Sequence, residues 1–283
     1  MDLVTWNIQW GKGCDGVVDL TRIVDTARAL VDADVFCLQE IAINFPSLDE
    51  GKGEDQPATF ATLLPGYEVV FRPAVDWRGL DGTRRQFGNM VLSRLPVLQV
   101  LPYLLPRPPD PGGRSMQRIA LEVVVQDRSG PVRVITTHIE YYSAAHQAAQ
   151  VGALRSQHQE AAQRVLHPPK PVDDEGTYRT VARPVSAIIT GDFNFEPSNP
   201  CYAQMLAPFG DGTPGFRDAW TVAHPGQPHA PTCGIGDREL WKQGPHCRDF
   251  IFVTDDVAPR VRDVRVDLET TASDHQPVHL KLA

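Results

Sequence analysis

Residues 185–194 read Val185-Ser186-Ala187-Ile188-Ile189-Thr190-Gly191-Asp192-Phe193-Asn194, an apolar run that breaks at a glycine into two polar side chains. Residues 185–190 read as a strand, and Asp192 and Asn194 stand just beyond its end. Taken alone, the pair makes an ordinary Asx-turn, for which both residue types are apt. The same arrangement recurs along the chain. The strand predicted over 3–8 ends at Asn7, and Val35-Phe36-Cys37-Leu38 runs into Gln39-Glu40. Val134-Ile135-Thr136-Thr137 ends in His138, Asp249 precedes Phe250-Ile251-Phe252-Val253, and Asp274-His275 precede the last apolar run, 278–282. Strand ends at one rim of a layered sheet face a common cleft. Residues far apart in sequence can therefore converge there.

Between these strands, Val17, Leu20, Ile23, Val24, Ala27, Leu30 and Val31 recur at helical spacing. Residues 143–166 form the longest helical pattern, with Ser143 as N-cap and Pro168-Pro169 beyond its end. Residues 119–126 and 132–137 pair as a hairpin around Ser129-Gly130. Further strands are predicted over 67–71, 88–93, 97–101, 248–253 and 261–266, a short helix end over 60–64, and loops over 44–57, 102–113 and 167–183. Many strands with few helices predict two mixed sheets packed together with helices outside. The 283 residues, 42% of them hydrophobic, suit one large domain or two small ones. With no linker or repeat, a single domain over 1–283 is expected.

Charge and composition narrow the function. The net charge of -8 weighs against generic duplex binding, which draws its affinity from a basic face. No apolar run approaches the ~20 residues that span a bilayer. The N-terminus lacks a leader pattern, so a cytoplasmic monomer is expected. Five cysteines without a CxxC argue against a zinc ribbon or a disulfide scaffold. Cys37 reads as a core thiol. Cys233 and Cys247 flank one loop and are open to pairing under oxidising conditions or to remaining reduced.

Carboxylates with an amide suit a hard cation such as Mg²⁺ or Mn²⁺, and the absence of HExxH makes zinc the weaker choice. A carboxylate beside an imidazole holds a general base in one tautomer. Neither a GxSxG elbow nor a GxxxxGK[ST] loop is present, which disfavours a serine hydrolase and a P-loop ATPase. Each residue alone has a plainer reading: Asn7 or Asp274 as a cap, Glu40 as a turn residue, His138 as a core histidine, Asp249 as the partner of Arg248. Those readings do not explain why so many strand ends share one pattern.

The stretches Thr5-Trp6-Asn7, Leu38-Gln39-Glu40, Gly88-Asn89-Met90-Val91-Leu92-Ser93-Arg94, Thr137-His138, Gly191-Asp192-Phe193-Asn194, Arg248-Asp249-Phe250-Ile251 and Ser273-Asp274-His275-Gln276-Pro277-Val278 resemble the endonuclease/exonuclease/phosphatase superfamily. They occur in family order and span nearly the whole chain. Within it, Thr137-His138-Ile139-Glu140 and the helix that follows are most similar to the tyrosyl-DNA phosphodiesterase and sphingomyelinase types. The resemblance implies an α+β fold, a four-layered αββα sandwich with its site at one rim, and hydrolysis of a phosphate ester. On this reading Glu40 holds Mg²⁺ or Mn²⁺, with Asn7 and Asp274 as nearby ligands or partners. His275, oriented by Asp249, takes a proton from water that Asp192 and Asn194 position. His138 and Asn194 donate to the phosphoryl oxygens. Whether Asp192 or His275 is the base stays open.

A small phosphoester, a lipid headgroup and a nucleic acid all remain as substrates, and a non-catalytic binding protein keeping the fold is the rival class. Trp77, Arg78, Arg84 and Arg85, expected in a loop, either grip substrate phosphates or form a solvated face. Arg114 and Arg118 carry the same two readings. Asp218 is expected as a structural anchor, and the remaining histidines, among them His146, His158 and His246, as structural or surface residues.

Overall fold

The computed structural model describes residues 1–48, 50–237 and 240–283. Residue 49, inside the loop predicted over 44–57, therefore lies outside the described residues. Twelve strands and five α-helices follow in chain order: β1 (Asp2–Asn7), α1 (Leu20–Leu30), β2 (Val35–Ile43), α2 (Gln56–Leu63), β3 (Glu68–Arg78), β4 (Arg84–Ser93), β5 (Val97–Leu104), β6 (Ile119–Asp127), β7 (Gly130–His138), α3 (Ala144–Leu166), β8 (Ala187–Asp192), α4 (Pro200–Leu206), β9 (Phe216–Asp218), α5 (Ala219–Ala223), β10 (Asp249–Thr254), β11 (Val261–Val266) and β12 (Val278–Leu282).

The strand alternation explains the layers. In β1, Leu3 points one way into a core shared with Leu121, Val134 and Ile188, while Val4 and Trp6 point the other way onto Ile23 and Val24 of α1. In β10, Ile251 and Val253 enter the shared core, while Phe250 and Phe252 face Val151 and Leu154 of α3. Strands with apolar side chains on both faces need cover on both, and here one face meets the other sheet and the opposite face meets helices. The result is the four-layered αββα sandwich, with strand orders β11-β12-β1-β2-β4-β3 and β5-β6-β7-β8-β10-β9.

Each sheet has one parallel pair near its middle, β1 with β2 and β7 with β8, and its other pairs are antiparallel. The parallel pairs bring the carboxyl ends of β1, β2, β7 and β8 to one rim, where open sheets bind ligands. Register then sets Asn7 opposite Gln39, His138 opposite Asp192, and Asp192 opposite Asp249. Below that rim the sheets are joined by polar bridges. Gln39 Nε2 donates to Thr136 Oγ1 at 2.8 Å, and Asn89 Nδ2 donates to the Ile119 carbonyl at 3.0 Å.

Several boundaries differ from the sequence reading. The segment holding Trp77, Arg78, Arg84 and Arg85 is no loop but the end of a long β3–β4 hairpin, paired as far as Arg78 with Arg84. It projects beyond the main core and buries only Val75 and Phe87 with Ala42, so its sequence shows little apolar alternation. The second strand does not stop at Leu38; β2 runs on to Ile43 through an irregularity between Leu38 and Ile41. Helix α1 begins at Leu20, capped by Asp19, which leaves Val17 exposed outside it. The Ser143 cap of α3 is present, its side chain accepting from the His146 N–H. All five cysteines are free.

Candidate active site

Glu40 stands at the β2 irregularity with φ +64, a left-handed conformation that a glutamate adopts at a cost. The extra residue re-aims its side chain toward the rim. Asn194 is likewise left-handed, at φ +51, in the turn after β8. The glycine before that turn is dictated by packing. A Cβ on Gly191 would lie 1.9 Å from the Thr137 carbonyl of the adjacent parallel strand, and its φ is +142.

At this rim lies a cleft of about 430 Å³. Asn7, Glu40, His138, Asp192, Asn194, Asp274 and His275 line it, and Asp249 sits directly behind His275. The structure thus brings together every residue that the strand-end pattern singled out. Asn7 Nδ2 donates to Glu40 Oε1 and to Asp192 Oδ2, both at 3.0 Å, so one amide spans the two sheets. Its Oδ1 accepts the Gln9 N–H. In this orientation the Asn7 amide nitrogen bridges the two carboxylates. His275 Nδ1 donates to Asp249 Oδ2 at 2.8 Å, which also accepts the Thr232 hydroxyl at 2.6 Å. His275 Nε2 faces Asp192 at 3.7 Å, and His138 Nε2 faces the same carboxylate at 3.4 Å. Asp192 Oδ1 accepts the Asn194 N–H at 2.8 Å, while the Asn194 amide donates to the Ile139 carbonyl.

Three further positioning contacts escaped the sequence reading. Trp241 Nε1 donates to Asp274, Trp6 Nε1 to the His275 carbonyl, and Ser273 Oγ to the Asn7 carbonyl. Trp6 and Ser273 stood inside quoted motifs; Trp241 comes from a loop without any such signal. Of the two ambiguous arginines, Arg118 is in the cleft and Arg114 is exposed, over the Tyr142 ring. Two of the β3–β4 arginines have local partners, Arg84 with Asp76 and Arg85 with Asp81. Asp218 anchors structure, accepting from Tyr202 and His229.

Burial sets the charge states. It pushes the Glu40 carboxyl up to about 7, with Asp274 adding to the rise. Burial likewise raises Asp274. Burial, with the nearby Arg118 charge, presses His138 down to about 3, so it is neutral. For His275, burial opposes protonation, but Asp249, Asp192 and Asp274 outweigh it and raise the imidazole well above its ordinary range. Burial pushes Asp192 up, yet His275 and His138 outweigh that and hold it below the usual carboxylate range.

The chain matches the Endonuclease/Exonuclease/phosphatase family over residues 4–275. It belongs to that family. No curated protein matches it by sequence. Among solved structures, an endonuclease/exonuclease/phosphatase from Beutenbergia cavernae is 25% identical with a TM-score of 0.61, covering 100% of this chain and 72% of that one. A mannosyl-6-phosphatase from Bacteroides thetaiotaomicron is 16% identical with a TM-score of 0.66, covering 100% and 99%. The 3' phosphatase NExo from Neisseria, bound to product DNA hairpin, is 19% identical with a TM-score of 0.59, covering 100% and 99%.

The family member's donor set fits a divalent cation. Asp274, buried beside it, adds to the raised proton affinity of Glu40, and an ion between such oxygens would relieve that repulsion. Asp192, Asp249 and His275 also have ligand atoms within 4.8 Å of one another. His275 Nδ1 is hydrogen-bonded to Asp249 and Nε2 faces Asp192 at 3.7 Å, so this trio is a poor ion cage. Among the described residues, no helix is long and apolar enough to cross a membrane.

Proposed function

We propose that this protein is a divalent-metal-dependent hydrolase of phosphate esters that uses water directly, without a covalent intermediate. The observation that carries the reading is the single amide of Asn7 holding Glu40 and Asp192 together beside the Asp249–His275 pair. Glu40 and Asp274 would hold Mg²⁺ or Mn²⁺, which when bound would supply neutralisation of charge on a phosphoryl oxygen. Asp192, ionised and fixed by Asn7 and the Asn194 N–H, accepts the proton of the attacking water. The sequence reading favoured His275 for that task. The raised proton affinity of His275 supports a different one, an imidazolium held by Asp249 that donates from Nε2 to a phosphoryl oxygen. His138, neutral, is a second donor at the same place.

A small phosphoester suits the site better than a duplex. The cleft of about 430 Å³ is walled by Trp10, Phe87, Met116, Tyr141 and Trp241, and two of the hairpin arginines, Arg84 and Arg85, already have carboxylate partners. The nuclease reading keeps one support, the structural likeness to a DNA-bound phosphatase. Assays of Mg²⁺-loaded protein against phosphomonoesters, phosphodiesters and oligonucleotides test both. Turnover of a small ester that chelator abolishes is expected. Undiminished turnover in excess chelator would sink the metal-dependent mechanism, and cleavage confined to oligonucleotides would replace the small-ester reading.

A further inference from the structure

Arg248 immediately precedes β10, and its backbone is anchored there. Its N–H donates to Thr232 Oγ1 at 3.0 Å, and its carbonyl accepts the Phe193 N–H at 2.9 Å. Asp249, its neighbour in sequence, gives its carboxylate to His275 and Thr232. The Arg248 side chain turns elsewhere. Its Nε donates to His246 Nε2 at 2.6 Å and its Nη1 to the Asn194 carbonyl at 3.4 Å. His246 Nδ1 in turn donates to the Gly244 carbonyl at 2.7 Å, which leaves Nε2 as the acceptor. The guanidinium carbon lies 5.0 Å from the centre of the Trp241 ring and 5.1 Å from that of Tyr141, within cation–π reach of both.

Both of those rings line the cleft, and Arg248 does not. Residues 240–245 form neither helix nor strand, so side-chain contacts must fix the Trp241 ring. Besides Arg248, the rings of His246 and His275 lie against it, at 5.2 and 5.6 Å between centres. So placed, Trp241 Nε1 donates to Asp274 Oδ2 at 3.1 Å. The other Asp274 oxygen accepts from Ser273, at 3.3 Å, but Ser273 is adjacent in the chain and moves with it. Trp241 therefore fixes this carboxylate from outside its own segment. A carboxylate that holds a cation is oriented by such outer partners, whose loss commonly costs tenfold or more in metal affinity.

We propose that Arg248 is a positioning residue, which holds the Trp241 ring so that its N–H orients Asp274 for a divalent cation. The assignment rests on the metal-dependent reading above and deepens it, by naming what keeps the second carboxylate in place. Arginine suits the task because its planar guanidinium stacks on aromatic faces while Nε reaches the imidazole. A lysine ammonium carries the charge without that plane.

The test is a calorimetric titration of the protein with Mg²⁺, with thermal unfolding run beside it. Trp241→Phe keeps a ring and removes the N–H, and should weaken Mg²⁺ binding about tenfold. Arg248→Gln should weaken it by about threefold to tenfold. Arg248→Lys should recover only part of that loss. The double variant separates action through Trp241 from any other route. If Arg248 works through that ring, adding Arg248→Gln to Trp241→Phe should change the Mg²⁺ affinity by less than about twofold. A purely structural Arg248 gives another pattern, in which the melting temperature falls and the folded protein binds Mg²⁺ as the parent does. Parental affinity in folded Arg248→Gln, or losses that multiply in the double variant, overturns the assignment and leaves the hydrolase reading intact. If the Gln variant fails to fold, parental affinity in Arg248→Lys does the same. A parent protein that binds no Mg²⁺ overturns the metal-dependent reading and the assignment with it.

Discussion

Two side chains at the rim carry opposite pH signatures. Glu40 is pushed up to about 7, chiefly by burial and then by Asp274, so a proton and a cation compete for it. A cation takes the ionised form. Its affinity should therefore be full above about pH 7 and fall by roughly tenfold per pH unit below that. Calorimetric Mg²⁺ titrations between pH 5.5 and 8 check this, and an affinity flat across that range would remove Glu40 from the ligand set. Glu40→Gln should abolish both the binding and its pH dependence. His275 is raised well above its ordinary range by Asp249, Asp192 and Asp274 against the opposing effect of burial. If its imidazolium is the working form, kcat/KM falls as pH rises through that raised pKa. A neutral base would give a rate that climbs there instead. His275→Gln should lower the rate by roughly 10²–10⁴ and erase the alkaline fall. A rising limb in the parent would return the base role to His275.

The parallel pair β7–β8 shows how an element places chemistry. It brings His138 and Asp192 into register, and the two backbones approach so closely at Thr137 and Gly191 that no side chain fits between them. Gly191→Ala must move one strand or the other, and it also strains a φ of +142. We expect a loss of about 3 kcal/mol or more of stability. Turnover per folded molecule should fall as well, because Asp192 follows Gly191 directly. Denaturant unfolding and active-site titration measure the two effects, and an Ala variant with parental stability would contradict the packing account. Elements of this kind were legible in the sequence. A buried strand must be an apolar run, and a rim residue must break it, so Asn7, His138, Asp192 and Asp249 announced themselves. The bulge at Glu40 was not legible, because nothing in Leu38-Gln39-Glu40-Ile41 distinguishes a strand's end from its interruption. The outer part of the β3–β4 hairpin, beyond Val75 and Phe87, was hidden for the opposite reason. It is held by ladder hydrogen bonds with little buried surface, and charged side chains on both faces erase the period of two. Short β9, α4 and α5 span too few residues to show a period at all.

At the scale of the whole molecule, the site belongs to neither sheet. Asn7, Glu40, Asp274 and His275 come from the first sheet and its flanks, His138, Asp192 and Asp249 from the second, and Asn7 and Gln39 tie the two together. Beneath them one apolar core is filled from both sides, by Leu3, Val35, Cys37 and Val91 from one sheet and Leu121, Val123, Val134 and Ile188 from the other. If that core is indivisible, the chain is one folding unit and neither sheet can unfold alone. Leu121→Ala is a probe of this, since Leu121 is fully buried in that core. It should cost about 2–5 kcal/mol, through the lost transfer energy and the cavity left behind. The decisive feature is where the cost is felt. Hydrogen exchange under conditions that report global opening should speed up equally at Val4 and Phe36, in the first sheet, and at Val134 and Ile188, in the second. Catalysis should decline only in step with the folded fraction, because the rim geometry is preserved in every folded molecule. Faster exchange confined to the second sheet would show two units held together by contact, and would make the rim an interface between domains.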